Sequence, residues 1–168
     1  MKYRYFDTPI GEMIAVGNEE GICLLEFRDK QMLDNELKAL KQYFQITEIN
    51  PGSTKVLDQL SDELMAYFQK TLKQFTVPII KWGTPFQNKV WGVLEQIEYG
   101  QLRSYGQIAS EINKPTASRA VGMANGKNKI AIIIPCHRVI GSKGELTGYA
   151  GGLWRKEWLI AHEQSDRP

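Results

Sequence analysis

Cysteine and histidine are scarce in this 168-residue chain, with two of each. Two cysteines, Cys23 and Cys136, cannot build a disulfide framework. A soluble, reducing cytoplasmic setting is therefore expected, in which a free thiol persists and can act as a nucleophile. With no C-x-x-C or H-x-x-x-H type of spacing, no metal and no cofactor are expected. No stretch approaches the ~18 consecutive apolar residues of a membrane span. The start, MKYRYFDTPIGEM, lacks the apolar core of a secretory signal. An excess of one charge is missing too: 21 Lys and Arg stand against 19 Asp and Glu, a net +2. Disordered, collagen-like and disulfide-rich scaffolds are excluded by this composition.

The charges present are unevenly placed. Residues 1–80 carry 9 basic and 12 acidic side chains, residues 81–168 carry 12 and 7. In residues 101–138, Arg103, Lys114, Arg119, Lys127, Lys129 and Arg138 face Glu111 alone. This asymmetry predicts two domains, 1–80 and 81–168, the second suited to an anionic partner. The first half mixes strands with helices. Tyr3, Tyr5 and the Ile22–Phe27 run lie between turn signals, and two helices follow over about Lys30 to Phe44 and Leu57 to Phe68. Phe75 to Ile80 reads as another strand. The chain is thus α/β or α+β, with no chemical motif in its first half.

In the second half, Thr84-Pro85-Phe86-Gln87 is a capping box with proline at the first helical position, and its helix is expected to end at Gly100. Ser104-Tyr105-Gly106-Gln107 repeats the box. Asn113-Lys114-Pro115 breaks that helix, and Thr116 can cap the next, Ala117 to about Asn125. Two short helices across a tight turn form a helix-turn-helix candidate. Ala117, Ala120 and Gly122 suit a close approach to a nucleic-acid groove, with Arg119 projecting, and equally suit a tightly packed small core. The charge favours DNA without deciding it.

Lys129–Ile134 reads as a buried strand that delivers Pro135-Cys136-His137-Arg138. Neighbouring positive charge lowers a thiol's pKa from about 8.5 and generates the nucleophilic thiolate. In an extended chain, however, Cys136 and His137 point to opposite faces. The pair works only if the chain turns at Pro135 or a water relays the proton. Gly141, Gly144, Gly148, Gly151 and Gly152 then make a loop able to bring backbone close to a flat ligand. A last helix from Leu153 to His162 is followed by Glu163, whose charge gains nothing from the helix dipole there and is free to orient His137. Cys23, inside an apolar strand pattern, reads as inert packing.

Ile134-Pro135-Cys136-His137-Arg138-Val139-Ile140 resembles the active-site signature of the O6-alkylguanine-DNA alkyltransferases. The likeness extends through Pro85-Phe86-Gln87, Ser104-Tyr105-Gly106-Gln107-Ile108-Ala109, Ser118-Arg119-Ala120-Val121-Gly122, Asn128, Tyr149-Ala150-Gly151-Gly152 and Leu159-Ile160-Ala161-His162-Glu163. The resemblance implies a ribonuclease H-like N-terminal domain and a mainly helical C-terminal domain. It implies a monomeric suicide repair protein that flips a damaged guanine out of double-stranded DNA and transfers the alkyl group to its own cysteine.

On this resemblance Cys136 attacks the alkyl carbon, His137 acts through a water as base, and Glu163 orients it. Tyr105 contacts the lesion and helps neutralise the leaving base. Arg119, with Ser118 and Ala120 beside it, fills the vacated place in a helix-turn-helix docked in the minor groove, and Arg138 adds to the DNA contact. Asn128 braces the segment before the cysteine, while Val139, Tyr149 and Ala150 line the base pocket. Ala150 stands where some members carry serine and keeps the main-chain amide. A lesion-binding relative without the cysteine conflicts with Cys136 itself. A sequence-specific regulator leaves the Pro135–Arg138 segment unexplained, and a cysteine hydrolase would need a better-placed Cys–His pair.

Overall fold

The computed structural model describes residues 1–165 and divides the chain into two compact units, Met1–Trp82 and Gly83–Pro168. In the first, β1 (Lys2–Thr8), β2 (Gly11–Gly17) and β3 (Ile22–Phe27) form an antiparallel meander. A short β4 (Asn50–Pro51) adds to β1 in parallel, giving the order β3-β2-β1-β4. Helices α1 (Leu33–Tyr43) and α2 (Lys55–Phe68) complete the unit. Ile14, Val16, Cys23, Leu24, Leu40 and Trp82 pack into one apolar cluster, and the Trp82 indole donates to the Cys23 carbonyl at 2.6 Å. Burying both the indole and its hydrogen bond keeps a polar tip from being stranded in the core.

The strand expected over Phe75 to Ile80 is reduced to a single bridge between Ile79 and Ile22. Pro78 lacks an N–H, so the segment supplies only isolated bonds: Ile22 N–H to Pro78 O at 2.9 Å and Ile80 N–H to Ile22 O at 2.8 Å.

The second unit is mainly helical, with α3 (Pro85–Leu94), α4 (Tyr105–Glu111), α5 (Ser118–Gly126) and α6 (Leu153–Gln164). Both capping boxes form, Thr84 with Gln87 and Ser104 with Gln107. Helix α3 stops at Leu94 rather than at Gly100, and turns carry the chain on to Gly100, whose positive φ of 78° redirects it. Asn113, at φ 61°, ends the α4 region before Pro115. Helix α5 begins at Ser118 with Ala117 at its cap position, so Thr116 does not cap it. The Trp91 indole ties α3 to α5 through the Ala124 carbonyl at 2.8 Å.

Lys129–Ile134 is not a strand. It folds into tight turns, with Ile133 N–H to Ala131 O at 2.8 Å, Ile134 N–H to Ile130 O at 3.0 Å, and Ile132 at φ 72°. The Asn128 side chain bonds to its backbone, as described below. Five apolar residues in a run signal burial, and burial alone does not distinguish a strand from a packed turn. A two-stranded parallel ladder, β5 (Arg103–Ser104) with β6 (Val139–Ile140), then joins the start of α4 to the chain just after Cys136–Arg138.

Ser104 caps the helix that begins with Tyr105. Ser104→Ala is expected to lower stability by about 1 kcal/mol, read as a lower midpoint in urea denaturation.

Candidate active site

Cys136, His137 and Arg138 form one turn of 3-10 helix, opened by Pro135 at φ −81°, ψ 62° and closed by Arg138 N–H to Pro135 O at 2.9 Å. The expected turn at Pro135 is present. With three residues per turn, neighbouring side chains diverge by about 120° rather than the opposed directions of a strand, so the Cys136–His137 objection falls away.

Each of the three side chains has a fixed partner. The Cys136 side chain, with the residue 6 % exposed, receives the Asn128 amide at 3.1 Å from Nδ2 to Sγ. Asn128 is itself locked: its Nδ2 also reaches Ile134 O at 2.7 Å, and its Oδ1 accepts from Ile130 N–H at 2.9 Å. A second asparagine, Asn125 at the end of α5, donates to the Cys136 carbonyl at 3.3 Å. The helix that carries Arg119 and the turn that carries the thiol are thereby connected directly.

His137 is fully buried and its Nε2 lies 2.7 Å from Glu163 Oε2. Arg138 grips the same carboxylate with Nε at 2.8 Å and its terminal nitrogen at 2.9 Å, and also donates to the Ile97 carbonyl. The Gly100 N–H adds a further bond to Glu163 Oε1 at 3.3 Å. Although burial pushes the Glu163 carboxyl up, the hydrogen bonds from His137 and Arg138 and the guanidinium charge outweigh it and hold the group far below its usual range. A carboxylate can only accept, so His137 donates from Nε2 and its Nδ1 is the basic nitrogen. That Nδ1 is buried and has no hydrogen-bond partner among the described residues. Burial lowers the His137 pKa against the pull of Glu163, keeping the imidazole neutral and able to take a proton.

Tyr105 opens α4, half-buried, and donates from its hydroxyl to the Thr147 carbonyl of the glycine-rich loop at 3.1 Å. Val139 is buried, Tyr149 half-buried and Ala150 exposed on that loop. Arg119 and Ala120 are exposed at the start of α5, and Ser118 is half-buried beside them. Arg138 corrects the expectation of a DNA contact: 7 % exposed, it spends its donors on Glu163 and Ile97, leaving no free fork for a phosphate. The residues unremarked in the sequence are Asn125, the Gly100 amide, Thr147 and Lys156. Lys156 had a signal: with Leu159 and Glu163 it falls at i, i+3 and i+7, on the buried stripe of α6. Among the described residues no group of three or more His, Cys, Asp or Glu side chains could hold a metal, and no helix is long and apolar enough to cross a membrane.

A hydrogen-bonded thiol backed by a neutral His and a clamped Glu, on a domain whose helix-turn-helix exposes an arginine, defines a cysteine-nucleophile protein built on a DNA-binding platform. Comparison with known proteins agrees. Residues 85–165 match the 6-O-methylguanine DNA methyltransferase DNA binding domain and residues 1–80 its ribonuclease-like domain. The methylated-DNA–protein-cysteine methyltransferase of Methanosarcina acetivorans is 44% identical over 165 residues, covering 98% of this chain and 99% of that one. That of Shigella flexneri is 43% identical over 163 residues, covering 93% and 91%. The crystal structure of Mycobacterium tuberculosis O6-methylguanine methyltransferase superposes with a TM-score of 0.86 at 41% identity, covering 99% of this chain and 94% of that one. The Mycobacterium tuberculosis protein in complex with DNA gives the same score and identity over 100% and 96%. The chain belongs to the 6-O-methylguanine DNA methyltransferase family.

The clamp carries a pH dependence. Both groups have folded pKa values below their ordinary ones, 6.5 for His137 and 4.5 for Glu163, so the unfolded chain binds more protons in each window. Stability is present above those values and is lost as pH falls, first below 6.5 through His137 and then below 4.5 through Glu163. Glu163→Gln leaves Arg138 buried without its counter-charge; a loss of about 3–5 kcal/mol at pH 7 is expected, with a shallower decline toward acid. Urea denaturation between pH 2 and pH 8, run on both proteins, reads the two effects, the Glu163 part below pH 4.5.

Proposed function

We propose that this protein takes O6-alkylguanine lesions from double-stranded DNA, acting as a monomer in a reducing cytoplasm. The reaction is direct, stoichiometric transfer of the alkyl group to a cysteine, and Cys136 is the acceptor in this reading. What carries it is the thiol's setting: Sγ held by Asn128, with the one unpartnered ring nitrogen of His137 on the adjoining residue of the same turn.

The damaged guanine, whose O6 substituent is out of reach inside the stack, is flipped into the site. Arg119, exposed on the first turn of α5, occupies the vacated place, and Ser118 and Ala120 allow the helix to lie close to the groove. A water carries the Cys136 proton to His137 Nδ1, and Glu163 stabilises the imidazolium that forms. The thiolate attacks the alkyl carbon in line, the C–O6 bond breaks, and guanine departs, with Tyr105 supplying the proton that neutralises it. Val139, Tyr149 and Ala150 frame the base. The product is a thioether, which has no leaving group and no route back to the thiol. Cys23, in the other unit, offers no resolving partner: burial pushes its thiol up to about 12, and it donates to the Val16 carbonyl at 3.3 Å.

Incubation with duplex DNA containing O6-methylguanine is expected to add one methyl group to Cys136, with a plateau at one per protein by mass spectrometry. Continued turnover, or DNA binding with an unmodified Cys136, would sink the reading. Arg119→Ala is expected to slow transfer from duplex DNA at least about tenfold while leaving reaction with the free alkylated base near wild type, since the free base needs no flipping. Equal losses on both substrates would remove Arg119 from that role.

A further inference from the structure

Met123 breaks the pattern of small residues on α5. At 71 % it is the most exposed large apolar side chain among the described residues. Most of the remaining helix surface is committed. Val121, Ala124 and Asn125 are buried, and Gly122 faces Tyr105, whose ring an added Cβ would meet at 3.8 Å. Turned outward are Arg119, Ala120, Met123 and, at the C-terminal cap, Lys127, all exposed. At about 100° per residue, Arg119 and Lys127 lie about 40° to either side of Met123, and Ala120 about 60° away. Met123 is therefore the centre of the outward stripe, about 6 Å along the helix axis from Arg119.

A thioether side chain standing in water gains free energy when it is covered, and its three rotatable bonds let it follow an irregular surface. A cation one turn away on each side calls for a surface that is anionic at its edges and apolar or flat at its centre. The DNA minor groove has that form, with phosphates along its walls and base edges on its floor. Entry of Arg119 into the duplex carries Met123 into the groove with it, since both lie on one face of a rigid helix. A side chain of this length must then reach the floor. There A·T pairs show acceptors alone, whereas G·C pairs add the guanine 2-amino group. That amine projects into the space a long side chain needs, and a thioether sulfur is too weak an acceptor to repay its lost water.

We propose that Met123 is a specificity-determining contact to the floor of the minor groove, favouring lesions whose neighbouring base pairs lack the guanine 2-amino group. The proposal rests on the reading of α5 as the groove-bound helix with Arg119 in the vacated place. Apolar side chains are used in this way by proteins that bind the minor groove, because the groove floor is read more by shape than by hydrogen bonds. Arg119 and Lys127 then hold the helix down through charge, while Met123 selects the sequence beneath it.

The quantity to measure is the single-turnover rate of methyl transfer to Cys136, at sub-saturating protein, from O6-methylguanine in three duplexes. The pairs flanking the lesion on both sides are A·T, G·C or inosine·C. Inosine is guanosine without the 2-amino group, so it isolates that group from the rest of the pair. The same rates for Met123→Ala serve as the reference, because the ease of opening each duplex belongs to the DNA and cancels between proteins. Wild type is expected to prefer A·T and inosine·C flanks over G·C about tenfold more strongly than Met123→Ala does, the scale of one stranded donor. Met123→Leu, apolar and of similar volume, should keep the preference. Free O6-methylguanine, which has no groove, should react at one rate with all three proteins. A flank preference equal in wild type and Met123→Ala, whatever the absolute rates, overturns the proposal. Transfer from duplex at the wild-type rate by Arg119→Ala overturns instead the reading of α5 on which it stands.

Discussion

One buried carboxylate organises the second unit. Glu163 receives His137, two nitrogens of Arg138 and the Gly100 amide, drawing together α6, the 3-10 turn and the chain that follows α3. A charge so deeply buried persists only because every lone pair is answered. The cost of desolvating it is offset by an arrangement that allows a single orientation of His137. With Nε2 committed to Glu163, Nδ1 is left as the base, and the tautomer is set by the fold. Arg138 is part of that constraint: it neutralises the carboxylate enough that burial can still keep the imidazole uncharged.

The thiol depends on a second constraint. A run of apolar residues from Ile130 to Ile134 is packed as turns, a conformation that leaves backbone groups without ladder partners. Asn128 meets them with its one amide, taking Ile130 N–H, Ile134 O and Cys136 Sγ together. Asn125 holds the Cys136 carbonyl from the end of the α5 helix. The nucleophile is therefore built from the same few residues that terminate the helix bearing Arg119. The helix that bears Arg119 and the sulfur are linked through two asparagine side chains.

The two cysteines show how environment divides one chemistry. Cys23 sits among apolar strand residues, its thiol pushed up to about 12 and bonded to a backbone carbonyl. Cys136 receives the Asn128 amide and interacts with the charge of a buried ammonium, Lys156. A donated hydrogen bond favours a thiolate, whereas apolar burial suppresses one. In the proposed reaction, single use of Cys136 follows from the stability of the thioether rather than from any feature of the pocket.

Much of this was legible in the linear sequence. Thr84, Gln87, Ser104 and Gln107 announce two helix starts because capping is local chemistry, satisfied within four residues. The Pro135–Val139 motif identified the family for a related reason: turn, nucleophile and base are contiguous. Three things were decided only by tertiary structure. The Lys129–Ile134 run is apolar enough for a strand, yet packing within the unit folds it into turns. Arg138 has the residue type of a phosphate ligand, yet the return of α6 places Glu163 against it and turns the guanidinium inward. Lys156 shares the spacing of the buried stripe of α6, and its surroundings are set where that helix meets Tyr105 and Thr147. Sequence determines what each segment can do alone; which charges lose their water is settled by what the fold brings against them.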